Sequence, residues 1–436
     1  MKRTVDTCEV RLWERTIGAA YWDPDQELAA FEYHPDFLPS RIELSPLMMP
    51  LGPGIRRFPE LRRTSFHGLP GLLADSLPDE FGNAVIDQWL IREGRDRASF
   101  SPVERLCYIG RRGMGALEFR PAIRKTTRGS VPVDVAALTE LAQHVLDLRE
   151  GLKVHVKAGD DDYGKALDDI LRVGTSAGGA RAKAVIAWNP DTQQMRSGQV
   201  AAPEGFEYWL LKFDGVSNRE HGVRDPQGYG RIEYAYSLMA RAAGIRMNDC
   251  QLLHEGGRAH FMTRRFDRRR DGEKLHMQSL YALAHLDNQL AGAHSYEQAF
   301  AVMQSLTLPG SDLEEMFRRM VFNVVARNQD DHTKNIAFLM DKRGRWSLAP
   351  AFDVIYAYNP SGEWTSRHQM SINGKRDDFR RSDLLGVADK FGIEDAGAVI
   401  ATVTAAVESW PEFAATAGVP QRVIDAIAVT HRSLQH

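Results

Sequence analysis

Residues 324–338 read "VVARNQDDHTKNIAF", and in them Asp330, Asp331, His332, Lys334 and Asn335 crowd into one short polar stretch between two apolar ones. Upstream, Leu313, Met316, Phe317, Met320, Val321, Val324 and Val325 recur along one helical face. Ser311 with Glu314 three residues on has the form of a capping box that would start that helix. The polar stretch is therefore expected as a loop on the end of a buried helix, a rigid mount for chemistry. A metal site, a catalytic loop and a plain polar turn all fit such a loop. Asp330, His332 and Asn335 could ligate a hard cation, but a full shell would need further oxygens from elsewhere.

Spacing favours the catalytic loop. Protein kinases place an aspartate that accepts the substrate hydroxyl proton five residues before an asparagine that holds magnesium, and Asp330 stands in that relation to Asn335. A second magnesium-binding aspartate should follow a strand. Asp353 in "RWSLAPAFDVIYAY" (345–358) does, although Val354 and Ile355 replace the usual Phe-Gly. Asp331 is expected as a solvated neighbour, His332 as a side chain bracing the loop, and Lys334 either faces phosphate or water.

Outward from the loop, the remaining parts come in kinase order. "GTSAGGARAK" (174–183) is a glycine-rich turn whose N–H groups could approach phosphates. It is not a Walker A motif, because Ala180 and Arg181 stand where Lys-Ser/Thr would be. Lys212 ends a strand centred on Tyr208–Phe213, and Glu233 lies on a helix over 231–244 stopped by Gly244. Glu233 reads equally as the lysine's partner or as an exposed helical charge. Another strand is expected over 258–268, and helical patterning dominates after 275.

The first third differs in character. Residues 5–50 read as β-structure through "CEVRLWE", "GAAYWD", "LAAFEYH" and "RIELS". In "FHGLPGLLADSLPDEFGNAVIDQWLIREG" (66–94) turn residues give way to a helix beginning at Pro78. A polar linker over 124–134 precedes a helix over about 135–150.

Bulk properties bound the function. With 436 residues the chain exceeds one ordinary core. Its formal net charge of −3 gives no global field toward nucleic acid or anionic membrane. The basic runs "RRFDRRR" (264–270), Arg62–Arg63 and Arg111–Arg112 are expected as solvated faces. Cys8, Cys107 and Cys250 are odd in number and far apart, which argues against a disulfide framework or zinc site and for a cytoplasmic setting.

The chain resembles the HipA-type toxins, serine/threonine kinases of bacterial toxin–antitoxin modules. "FHGLPGLLADSLPDEFGN" is similar to the family's N-terminal signature, "TSAGGARAK" to its phosphate loop, "NQDDHTKN" to its N-x-D-x-H-x-K-N loop and "LAPAFDVI" to its magnesium-binding segment. The resemblance implies an α+β, protein-kinase-like two-lobed fold with a β-rich N-terminal subdomain (1–125), a kinase N-lobe (126–267) and an all-helical C-terminal lobe (268–436). It implies ATP and Mg²⁺ as cofactors, Asp330 as catalytic aspartate, and Asn335 and Asp353 as metal ligands. ATP contacts are expected from Ser176, Ala177, Gly178, Gly179, Ala180, Lys183, Lys212, Arg264, Phe266, His332 and Lys334, with Glu233 in support. Ser176, or else Thr175, would be the inhibitory autophosphorylation site. The implied partners are a protein of the translation machinery, such as a translation factor or an aminoacyl-tRNA synthetase, and a HipB-like DNA-binding antitoxin. DNA would be reached only through that antitoxin, and no membrane is involved. A small-molecule or lipid phosphotransferase and a non-catalytic antitoxin partner are the other classes compatible with the same residues.

Overall fold

The structure is a computed structural model, and it describes residues 5–121, 123, 132–149, 181–199, 201–216, 227–269 and 272–434. Strands β1 (Thr7–Leu12), β2 (Arg15–Asp23), β3 (Leu28–Tyr33), β4 (Ile55–Arg56) and β5 (Leu117–Arg120) form an antiparallel sheet of order β4-β3-β2-β1-β5. Alternation of apolar and polar residues along β1 puts Cys8, Val10 and Leu12 inside. The expected strand at "RIELS" is absent. A 3₁₀ turn at residues 35–40 runs up to that segment, and Ser45 makes only an isolated bridge to Met49.

A second sheet, β7-β6-β8-β10-β9, is built from β6 (Lys183–Trp188), β7 (Met195–Ser197), β8 (Glu207–Lys212), β9 (Cys250–Glu255) and β10 (Arg258–Arg264). One apolar core joins this sheet to the helices Glu80–Arg92, Pro102–Ile109 and Val135–Arg149, through Phe81, Ile86, Tyr108, Leu138, Ile186 and Leu211. Across its other side lies the helix Tyr229–Ala242, closed near Gly244, whose φ of 82° is open to glycine without strain.

The C-terminal half is mainly helical, as the sequence leads one to expect, but it also carries small sheets. Strands β11 (His276–Ser279), β13 (Ala337–Met340) and β14 (Trp346–Leu348) pair antiparallel. β12 (His294–Ser295) and β15 (Met370–Ser371) pair in parallel. β13 leads out of the polar loop, and with these strands the C-terminal half is not all-helical. The helix Gly310–Val325 enters that loop with Leu313, Met316, Phe317, Met320, Val321, Val324 and Val325 buried. It starts one residue before Ser311 with Pro309 as its N-cap, so Ser311 and Glu314 form no capping box. A capping box lies one helix earlier, at Ser295 and Gln298.

Candidate active site

Lys212 is the centre of the site. It ends β8, 8% exposed, and donates from Nζ to Glu233 Oε1 at 2.5 Å and to Asp353 Oδ1. Glu233 is buried on the apolar face of its helix beside Ile232, Ala235 and Tyr236, so it is no exposed helical charge. Asp214 fixes the relation of strand to helix. Its Oδ1 accepts Gly228 N–H at 2.8 Å and Gly230 N–H at 3.4 Å, and its Oδ2 accepts Ala259 N–H at 3.3 Å. Burial disfavours the ammonium of Lys212, but the carboxylates of Asp353 and Glu233 outweigh it and raise its pKa. Burial likewise pushes the Asp353 carboxyl up, and Lys212 and Lys183 outweigh it, holding it below the ordinary carboxylate range. Asp353 has φ of 52°, a conformation that costs a non-glycine residue energy and turns its carboxylate back toward Lys212.

Lys183 and Lys212 are direct partners across β6 and β8. Lys183 Nζ lies 3.4 Å from Asp79 Oδ2, while Asp79 Oδ1 caps the helix Glu80–Arg92 by accepting Gly82 N–H at 2.6 Å. Burial lifts the Asp79 carboxyl to about 6 against the attraction of Lys183. Lys334 sits 4.5 Å over the Tyr281 ring. Burial lowers its pKa, opposed by Asp75, Asp79 and Asp287. Thus the N-terminal motif around residues 65–79 reaches the polar loop through charge. Arg181 stacks 4.1 Å over Tyr229 with Glu233 Oε2 3.9 Å away.

The polar loop is fixed by both backbone and side chains. Gln329 N–H donates to Ala357 O at 3.1 Å, Thr333 Oγ1 donates to Leu286 O at 2.7 Å, and Asn335 Nδ2 donates to Asp330 O at 2.8 Å. Asp330 Oδ1 accepts the Trp364 indole N–H at 2.7 Å and lies 3.8 Å from His332 Nε2. His332 adds a smaller electrostatic stabilisation to the Asp353 carboxylate. Asp331 is not solvated. It is 3% exposed and accepts Tyr296 Oη–H, His368 Nδ1 and Gln369 N–H, each at 2.8 Å. Burial opposes its charge, but His368, Tyr296 and Gln369 more than offset that and lower its pKa.

At the far end of β10, Arg264 pairs with Asp249 at 3.1 Å and Glu207 at 3.4 Å, and its carbonyl accepts Asn248 Nδ2 at 3.0 Å. Phe266 packs 5.5 Å from Phe352, against Leu275, Met277, Ala337, Leu339 and Ala349. This small apolar cluster adjoins Asp353 and could receive a purine. Within the run 264–270, residues 265–268 are not a solvated face. Arg265 is 3% exposed and Asp267 wholly buried, and Asp267 Oδ2 accepts Arg265 and Arg268 at 2.7 Å and Gly115 N–H at 2.6 Å. Arg112 is buried as well.

Thr175, Ser176, Ala177, Gly178, Gly179 and Ala180 lie outside the described residues. The structure brings together Lys183, Lys212, Glu233 and Asp353, and on the polar loop it brings together Asp330, His332 and Asn335. Sequence reasoning missed Asp79, Asp75, Trp364 and the Asp331 partners. Only Asp79 had a usable signal, as the residue ahead of a helix in "LPDE".

Residues 175–411 match the model of the HipA-like C-terminal domain, and residues 8–120 that of the HipA N-terminal domain. The chain belongs to the HipA family. Its fold is similar to that of Shewanella oneidensis MR-1 HipA, solved with HipB and operator DNA, at TM-score 0.65 and 16% identity over 97% of this chain and 94% of that one. A weaker likeness, TM-score 0.31 at 12% identity, covers 51% of this HipA-family chain and 90% of the Helicobacter pylori proinflammatory kinase CtkA. A curated relative described as "Putative kinase Y4mE", from Sinorhizobium fredii (strain NBRC 101917 / NGR234), is 25% identical over 126 residues, 27% of this chain and 30% of that protein. Among the described residues no helix is long and apolar enough to cross a membrane.

Proposed function

We propose that the chain is an ATP- and Mg²⁺-dependent serine/threonine protein kinase toxin. In this reading 1–125, 126–267 and 268–436 act as N-terminal subdomain, N-lobe and C-lobe. The observation that carries it is Lys212 held between Glu233 and Asp353, with Asp330 and Asn335 on the adjoining loop. Asp330 takes the proton of the acceptor hydroxyl as that oxygen bonds the γ-phosphorus and the bond to the β,γ-bridging oxygen breaks, releasing ADP. Lys212 and Lys183 meet the phosphates, and Glu233 keeps Lys212 in line. The purine rests against Phe266 and Phe352, near the backbone of Arg264. The oxygen donors fit magnesium, which takes one or two carboxylates and leaves other positions to phosphate and water. Asp353 and Asn335 would hold it, and when bound it supplies positive charge against the phosphates. His332 steadies the loop, and Lys334 adds charge beside it. Ser176, in the glycine-rich turn, is the self-inhibiting phosphorylation site in this reading. The acceptor is a protein of the translation machinery, and a HipB-like DNA-binding antitoxin is the neutralising partner. The chain works in the cytoplasm.

The test is transfer of label from γ-labelled ATP into a bacterial lysate. Labelled protein is expected, and Asp330→Asn should cut the rate about 10²–10⁴-fold while ADP affinity holds. Asp353→Asn should abolish transfer in a folded chain. Label confined to a small molecule, or full activity in Asp353→Asn, overturns the reading.

A further inference from the structure

The loop from Asp353 to β15 delivers an aromatic side chain to the Asp330 carboxylate. Trp364 is 36% exposed, and its indole N–H donates to Asp330 Oδ1 at 2.7 Å. Among the described residues this is the one hydrogen bond on the Asp330 carboxylate, whose side chain is otherwise 41% open. Oδ1 is thus occupied and Oδ2 is left for an incoming group.

The contact is braced from behind. Gln369, 3% exposed, donates from Nε2 to the Trp364 carbonyl, and its own N–H donates to Asp331 Oδ1 at 2.8 Å. Gly292 N–H donates to the Gln369 carbonyl at 2.8 Å, and Asn359 N–H to Thr365 O at 3.3 Å. Asp330, Trp364, Gln369 and Asp331 therefore close a ring through two neighbouring aspartates. A ring so closed sets the direction of the indole N–H against the polar loop. The terminal torsion of an aspartate is soft, so a directed donor on one oxygen decides where the other one points.

We propose that Trp364 is a positioning residue for phosphotransfer, its indole N–H turning the Asp330 carboxylate so that Oδ2 faces the acceptor hydroxyl. This rests on the kinase reading above. The proton leaves the hydroxyl for Oδ2 as the new P–O bond forms, and Oδ1 keeps its indole partner throughout. Misdirection of a base lowers turnover more than substrate binding.

Trp364→Phe keeps a ring and removes the donor. With ATP and the acceptor protein, kcat should fall about 10-fold while both KM values and ADP affinity stay within about 2-fold. The melting temperature should match wild type. In an Asp330→Asn background the same change should cost nothing further in residual rate, because the indole acts through that carboxylate. Unchanged kcat, or an equal loss in both backgrounds, overturns the proposal. A rise in kcat makes Trp364 a lid over the base, and earlier melting or lost ADP binding makes it a structural residue; each also overturns it. A wild type that transfers no phosphate fails the kinase reading itself, a result visible before any Trp364 variant is compared.

Discussion

Asp330 and Asp331 are adjacent, yet one carboxylate is half open with a single indole donor and the other is sealed beneath Tyr296, His368 and Gln369. The difference follows from where their partners come from. Two come from residues 368 and 369, in a loop that the sequence gives no reason to place there, so spacing alone left Asp331 in solvent. The five-residue interval to Asn335, by contrast, is local, and the two residues are joined by the hydrogen bond from Asn335 Nδ2 to Asp330 O. Removing the sealed carboxylate leaves a buried phenol and imidazole unsatisfied. Asp331→Ala should therefore lower stability by about 2–4 kcal/mol, more than Asp331→Asn, which keeps an acceptor. Urea unfolding of the three chains checks the order, and equal midpoints would remove Asp331 from the loop's support.

At the scale of elements, periodic apolar residues were legible and ends and charges were not. The helix Gly310–Val325 buries the face its spacing marks, but Pro309 set its start ahead of the Ser-Glu pair. Lys212 at the end of β8 and Glu233 on the next helix were readable from order; that both would be buried followed from the sheet's packing. Residues 265–268 misled because charged residues are usually outside, whereas here Asp267 collects Arg265, Arg268 and Gly115 N–H into a buried junction between residues 113–115 and the chain after β10. Burial opposes the Asp267 charge, but the two guanidiniums prevail and hold its pKa well below the ordinary range. A carboxylate depressed in the folded state contributes stability above its unfolded pKa of about 3.9, and loses it as pH falls below that. Asp267→Asn leaves two buried cations without their anion and should cost about 3–5 kcal/mol at pH 7. The gap to wild type should narrow below pH 4, which chemical denaturation at a series of pH values reads directly.

For the whole molecule, the order of parts was visible in sequence, and the docking of the N-terminal third was not. Turn residues in "FHGLPGLLADSLPDE" looked like punctuation, but they form the contact with the C-terminal half. Gly71 lies so close to that half that an added Cβ would stand 2.3 Å from Ala282 O. Its N–H donates to His285 Nε2 at 3.0 Å, Ser65 Oγ to Asp287 at 2.6 Å, and Ser279 donates N–H and Oγ–H to Asp75, each at 2.7 Å. Such complementarity between segments 200 positions apart leaves no periodic trace in either. Accepting from Gly71 requires a lone pair, so the His285 ring is neutral, and burial lowers its pKa to about 4. The unfolded chain binds that proton from about pH 6.5 downward while the folded chain does not, so stability is whole above pH 6.5 and drains away toward pH 4. His276, wholly buried, and His431 are lowered to about 4 in the same way, chiefly by burial, and steepen the fall. His285→Gln offers Gly71 an amide oxygen that does not titrate. Its stability at pH 7.5 should lie within about 1 kcal/mol of wild type, and between pH 6.5 and 4.5 it should lose about 2 kcal/mol less. If both chains lose stability in parallel over that range, the Gly71–His285 contact is not a neutral hydrogen bond. The acid sensitivity then belongs to the other buried histidines, His276 and His431 among them.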